Sequence, residues 1–168
     1  MKIPATLLLA TLPVTVFGLG FRLTDINTEA TARGGAFAAT ADNASAIYYN
    51  PAGITQLDGT QALFGAYTIT YESSFNSHLP GGSNEDTKWS PQSVPSSFIT
   101  INPKDSPIAL GLGVYSPFGL GLEYNDDAPF RTLAKKGKLQ FITISPVAAW
   151  KFGDTLSIAA GPTINFGR

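Results

Sequence analysis

Between residues 108 and 114 large apolar and small side chains alternate without a slip. Ile108, Leu110, Leu112 and Val114 share one face, and Ala109, Gly111 and Gly113 share the other. Successive side chains of a strand point to opposite sides, so this pattern makes one greasy face and one nearly bare one. Such a pair of faces suits lipid on the outside and a filled or ligand-lined interior. The break at Ser116, Pro117, Phe118 and Gly119 is expected to be a kink, a bulge or the strand's end, because proline removes a ladder donor and glycine weakens a strand interior.

The same period recurs along the chain. In residues 61–72, Leu63, Gly65, Tyr67, Ile69 and Tyr71 oppose Phe64, Ala66, Thr68, Thr70 and Glu72. A run of about a dozen residues exceeds the usual globular strand and matches the roughly 9 to 11 residues of a tilted membrane-spanning one. Further runs at 96–102, from 108, at 138–152 and at 155–166 bring the total to five. Short turns at 102–107 and 153–154 alternate with long polar segments at 73–95 and 125–137. That asymmetry, with aromatic residues near strand ends, is the arrangement of bacterial outer-membrane barrels. The expected fold class is therefore all-β, a transmembrane antiparallel β-barrel located in the bacterial outer membrane. Since the smallest membrane barrels need about eight strands, residues 60–168 read as the first part of a longer wall. The competing reading is a secreted β-rich binding or adhesion module without transport, which leaves the outward Leu and Ile rows without a partner.

Ahead of the strands lie two segments of another kind. Lys2 followed by a mostly apolar run to Phe21, with Gly18 and Gly20 near its end, has the order of a secretory leader, and residues 1–18 are expected to be removed. Pro4 and Pro13 speak against a membrane-spanning helix there. Residues 19–59 are irregular and expected to form a hatch, or plug, with an ordinary N-terminal extension folded over a soluble domain as the equally weighted alternative from composition alone. Asp42 or Asn43 can cap a very short helix over 44–49, which Pro51 ends by pushing Asn50 out of helical conformation. So short a helix persists only if Ile47 and one tyrosine pack on something larger. Arg33, Gly34 and Gly35 mark a turn, and the alanines of 36–41 offer tight packing.

Composition removes several classes of chemistry. The chain has no Cys, which excludes a disulfide scaffold, a thiolate metal site and a Cys nucleophile. A net charge of −1 with scattered acids and bases supplies no stripe for nucleic acid. His78, the lone histidine, sits in a polar segment with no serine–acid arrangement around it. Gly111-Leu112-Gly113 starts a dinucleotide-like pattern, but Ser116 occupies the third glycine position, so packing is the better account. Asp126 and Asp127 read as a solvated acidic turn rather than a calcium site. No catalytic residue, metal or cofactor is expected.

Gly20, Phe21 and Leu23 after the leader, Arg33-Gly34-Gly35, the run from Asp42 that ends in Asn50, Pro51 and Ala52, and Pro117-Phe118-Gly119-Leu120 with Glu123 and Tyr124 together resemble the FadL-type outer-membrane transporters. The resemblance covers essentially the whole chain after the leader, and the Asn-Pro-Ala motif after a tyrosine-rich helix is its most specific part. It implies a barrel of about fourteen strands, with an N-terminal hatch in the lumen and a kinked third strand that opens the wall sideways. It further implies that Phe21 lies at the ligand, that Asn50, Pro51 and Ala52 hold the hatch's shape, and that Ser116, Pro117, Phe118 and Gly119 form the lateral opening. The implied partners are hydrophobic small molecules, either fatty acids or aromatic hydrocarbons, and outer-membrane lipid, with the protein acting as a monomer.

Overall fold

In a computed structural model, residues 22–78, 82–133 and 135–168 are described. Phe21 and the expected leader lie outside them. Three short helical pieces come first: α1 (Thr28–Ala32), α2 (Ala46–Tyr49) and a 3-10 turn (Pro51–Gln56). Nine strands follow, β1 (Gly59–Ile69), β2 (Ser74–Phe75), β3 (Glu85–Asp86), β4 (Gln92–Asn102), β5 (Ile108–Tyr115), β6 (Gly119–Glu123), β7 (Lys136–Phe152), β8 (Leu156–Ala160) and β9 (Ile164–Gly167).

Seven of these strands build one antiparallel sheet of five long rows. β1 pairs with β4 from Gly59 opposite Asn102 to Ile69 opposite Gln92, and β4 pairs with β5 from Ile101 opposite Leu110 to Ser96 opposite Tyr115. β5 and β6 follow one another along one side of β7, while β8 and β9 follow one another along its other side. The turns are sharp where the backbone allows it: Gly153 has φ 58°, and Asp105 takes φ 65°, a conformation that short polar side chains tolerate.

Four details depart from the sequence expectation. The second row begins at Gln92 rather than Ser96 and includes Pro95. Below Ser96 its only row neighbour is β1, so a residue without an N–H costs less there than in a fully paired row. The fourth row starts at Lys136 because Glu123 of β6 pairs with it. The fifth row divides at residues 161–163, where a Cβ on Gly161 would collide with the Pro146 carbonyl. β2 and β3 also form a small hairpin inside residues 73–95, expected to be a long polar loop.

The faces sort as the alternation requires. Val94, Ser96, Phe98 and Thr100 of β4, Ala109 and Tyr115 of β5, and Thr143, Ser145, Val147 and Ala149 of β7 are buried on one side. Leu110, Leu112, Val114, Ile142, Trp150, Ile158, Ile164 and Phe166 are exposed on the other. The residues before β1 cover the first side. Ile26, Ala44, Ile47, Ile54 and Leu57 form a continuous core with Phe98, Ala109, Tyr115 and Val147 of the sheet. Burying each such large apolar side chain contributes about 1.5–3 kcal/mol, which holds helices too short to stand alone.

Candidate functional site

The covering segment is tied together from its ends inward. Asn27 caps α1, its Oδ1 accepting from the N–H of Glu29 at 2.9 Å and of Ala30 at 3.0 Å. Gly34 and Gly35, with φ 62° and 82°, turn the chain after it. The Arg33 guanidinium pairs with Glu29, reaches Asp42 at 3.5 Å and donates to Thr40 Oγ1 at 2.7 Å. Asn43 Oδ1 accepts from the Ser45 N–H at 2.9 Å and its hydroxyl at 2.7 Å. The helix that follows is a single turn starting at Ala46, and no side chain caps it directly.

Asn50, Pro51 and Ala52 work within this segment. Asn50 Nδ2 donates to the Ala38 carbonyl at 2.9 Å, Pro51 opens the 3-10 turn, and the Ala52 carbonyl accepts from Thr55 Oγ1 at 2.9 Å. The polar bonds to the sheet come slightly later. Thr55 Oγ1 lies 2.8 Å from Ser157 Oγ, and Asn102 Nδ2 donates to the carbonyls of Thr55 at 3.1 Å and Leu57 at 2.7 Å. Sequence reasoning did not single out Thr55, Asn102 or Ser157. Asn102 was legible only as a turn residue.

At the other end the segment meets the break in the third row. Leu23 N–H donates to the Pro117 carbonyl at 2.8 Å, and the Leu23 carbonyl accepts from Tyr48 Oη at 2.5 Å. Tyr48 stands edge-on to Tyr115 with centroids 4.9 Å apart, and the Arg22 guanidinium lies 4.2 Å from the Tyr48 ring centre. Burial pushes the Tyr48 phenol above its ordinary value, and Arg22 opposes that shift. Nearby, Ser96 Oγ donates to the Ile26 carbonyl at 3.0 Å in a buried bond.

Residues 116–118 belong to no strand, and Gly119 starts β6. From the Tyr115–Thr143 pair to the Gly119–Gln140 pair the broken row advances four residues and β7 only three. That one extra residue is a bulge. Ser116 Oγ holds it, donating to the Phe118 carbonyl at 3.0 Å and lying against the Phe141 carbonyl, while Phe118 meets Phe141 edge-on at 5.5 Å. The ladder between β4 and the third row stops at Ser96, and a cavity of about 530 Å³ opens beside the break. Val94, Tyr115, Ser116, Gly119, Phe141 and Phe166 are among the residues lining it.

The two long connections dock on each other at the end of the sheet opposite the short turns. Thr87 bridges to Tyr124, and the Lys88 N–H donates to the Glu123 carbonyl at 2.7 Å. Lys88 Nζ reaches Glu123 at 3.4 Å and Asp126 at 3.7 Å, Lys136 reaches Glu123 at 2.7 Å, and Lys135 pairs with Asp126. Phe130 packs edge-on to Phe75 and Tyr124. The hydrogen bond from Lys135 holds the Asp126 carboxyl below its ordinary value, and Asp126 holds Lys135 above its own.

Long antiparallel rows, a greasy exposed face, a small-residue face covered by the chain's own N-terminal segment, and short turns at one end against long loops at the other define the wall of an outer-membrane β-barrel. The family model described as "Outer membrane protein transport protein (OMPP1/FadL/TodX)" matches residues 9–168, and the chain belongs to that family. It is 35% identical over 122 residues to a Neisseria meningitidis serogroup B protein assigned by name to the outer membrane, a match covering 68% of this chain and 26% of that one. Its fold resembles the crystal structure of a Pseudomonas aeruginosa FadL homologue with a TM-score of 0.65 at 20% identity, over 88% of this chain and 38% of that one. The chain thus spans between a quarter and two fifths of the length of these relatives.

Proposed function

We propose that the protein carries hydrophobic compounds, long-chain fatty acids or aromatic hydrocarbons, passively across the outer membrane, through a plugged barrel with a lateral exit at Ser116, Pro117, Phe118 and Gly119. In this reading residues 1–18 are a cleaved leader, 19–59 the hatch and 60–168 the first part of the wall, and Phe21 meets the ligand. The protein works as a monomer in outer-membrane lipid, without catalysis or a cofactor.

The observation that carries the proposal is the bond from Leu23 N–H to the Pro117 carbonyl beside the cavity at the bulge. It ties the start of the hatch to the place where the wall is interrupted, so movement of one bears on the other. Burial of apolar surface, worth about 25 cal/mol per Å², draws a hydrophobic compound into such a cavity. Release follows when the hatch shifts and the affinity of the site falls.

The test is uptake by cells expressing the full-length protein, with Pro117 and Gly119 both replaced by valine. A barrel that keeps its heat-resistant mobility but loses uptake supports the lateral exit. Unchanged uptake overturns it.

A further inference from the structure

The exposed apolar face carries a feature that transport does not use. From Ile142 to Phe152, β7 advances ten residues, about 33 Å of chain at ~3.3 Å per residue. With the usual tilt of about 40°, that run covers roughly 25 Å of height, the thickness of the apolar band of such barrels. The stacked pair Trp150 and Phe152, 5.6 Å apart, marks its lower edge next to the short turn at Gly153. Ile142 and its cross-strand partner Phe166, both exposed, mark its upper edge.

Just beyond that upper edge the same face turns basic. Arg168 exchanges both backbone hydrogen bonds with Gln140, at 2.9 and 3.0 Å, so the two side chains share the face of Ile142 and Phe166. Lys138 is two residues further along β7 on that face, and all three residues are exposed. A directly paired residue and its diagonal neighbour stand about 7–8 Å apart, a gap that two long basic side chains close around one phosphate. Gln140 and Arg168 lie about 5 Å above the apolar band and Lys138 about 10 Å, the depth of lipid headgroups.

Among the described residues, Glu123 and Asp126 pair with Lys88, Lys135 and Lys136, and neither Lys138 nor Arg168 joins an ion pair. At the opposite end, acids and bases are mixed: Asp58, Lys104, Asp105 and Asp154. Unpaired basic residues directly above a lipid-facing apolar strip match an anionic headgroup whose acyl chains lie along that strip.

The geometry points to a lipid site in which Lys138 and Arg168, with the Gln140 amide between them, bind the phosphate of an outer-leaflet phosphoglycolipid while its acyl chains cover Ile142 and Phe166. Gln140 and Arg168 also rim the cavity at the bulge, so the bound lipid stands at its mouth.

The test uses the full-length protein in detergent, with native mass spectrometry reading retention of a bisphosphorylated lipid A, the same lipid without its phosphates, and inorganic phosphate. The wild type is expected to retain the phosphorylated lipid, and Lys138→Gln with Arg168→Gln to lower its affinity by about thirtyfold, each single change by about fivefold. The conservative pair Lys138→Arg and Arg168→Lys is expected to keep binding, which separates charge from folding should the glutamine pair fail to assemble. Equal retention by wild type and both single glutamine variants overturns the site. So does equal retention of the dephosphorylated lipid, and displacement of the lipid by millimolar inorganic phosphate reduces the pair to a free-anion site. The readout is lipid retention rather than uptake, so the transport proposal stands or falls separately.

Discussion

The Cδ1 atom of Ile47 occupies the space above Gly111: a Cβ built on that glycine would lie 2.8 Å from it. Gly113, one alternation further, would meet Cγ2 of the same isoleucine at 3.0 Å. The small-residue face of β5 is therefore the socket of one side chain of the N-terminal covering segment, and α2 approaches β5 closely where that face carries only small residues.

Gly111→Val is expected to displace Ile47 and destabilise the packing of the N-terminal segment on the sheet by about 1–3 kcal/mol, the usual cost of overpacking. Thermal unfolding of the full-length barrel in detergent measures it. Adding Ile47→Ala should recover much of the loss; no recovery would mean that the glycine serves β5 itself rather than its contact with Ile47.

Leu23→Pro removes the N–H that bonds the Pro117 carbonyl. Losing one such bond costs about 0.5–1.5 kcal/mol, which is enough to loosen the first residues of the N-terminal covering segment by roughly two- to twelvefold. The chain has no cysteine, so a single Thr24→Cys reporter reads the change cleanly as faster labelling by a thiol reagent. Equal labelling with and without Leu23→Pro would show that the bond does not restrain this end.

Asn102→Ala leaves the carbonyls of Thr55 and Leu57 without their donor. Stranding partly buried acceptors costs about 1–3 kcal/mol. A lowered unfolding temperature is expected, with faster hydrogen exchange confined to residues 51–58. Exchange rising uniformly across the sheet would instead mark Asn102 as a turn residue only.

The clasp between the long loops should hold across the middle of the pH range. Asp126 is held below its ordinary value, so its contribution is complete above that value and fades as pH falls through the depressed one. Lys135 is held above its ordinary value, so its contribution is complete below it and fades as pH rises through the raised one. Proteolysis within residues 125–135 is therefore expected to accelerate in strong acid and in strong base while the strands remain protected. A flat profile would mean that the aromatic contacts of Phe130 hold the loops by themselves.

The two faces of the first, third, fourth and fifth rows, the sharp turn at Gly153, the long-loop end and the interruption at Pro117 were all legible in the residues themselves. Strand alternation, left-handed turns and a missing N–H are local consequences of side-chain and backbone chemistry, and no distant partner is needed to produce them. The short helix at Ile47 and its dependence on a larger partner were legible for the same reason.

Which partner it finds was not. The bond from Leu23 to Pro117 joins an N–H that every residue except proline carries to a carbonyl that every residue carries, so it leaves no mark in the sequence. The fifth row divides where Gly161 lies against the Pro146 carbonyl, and Asn102 and Ser157 tie the N-terminal segment to the sheet at Thr55. These contacts join residues far apart in the chain. Only the tertiary structure decided them, because the choice among equally polar or equally small candidates is made by proximity, and the sheet's register sets that proximity.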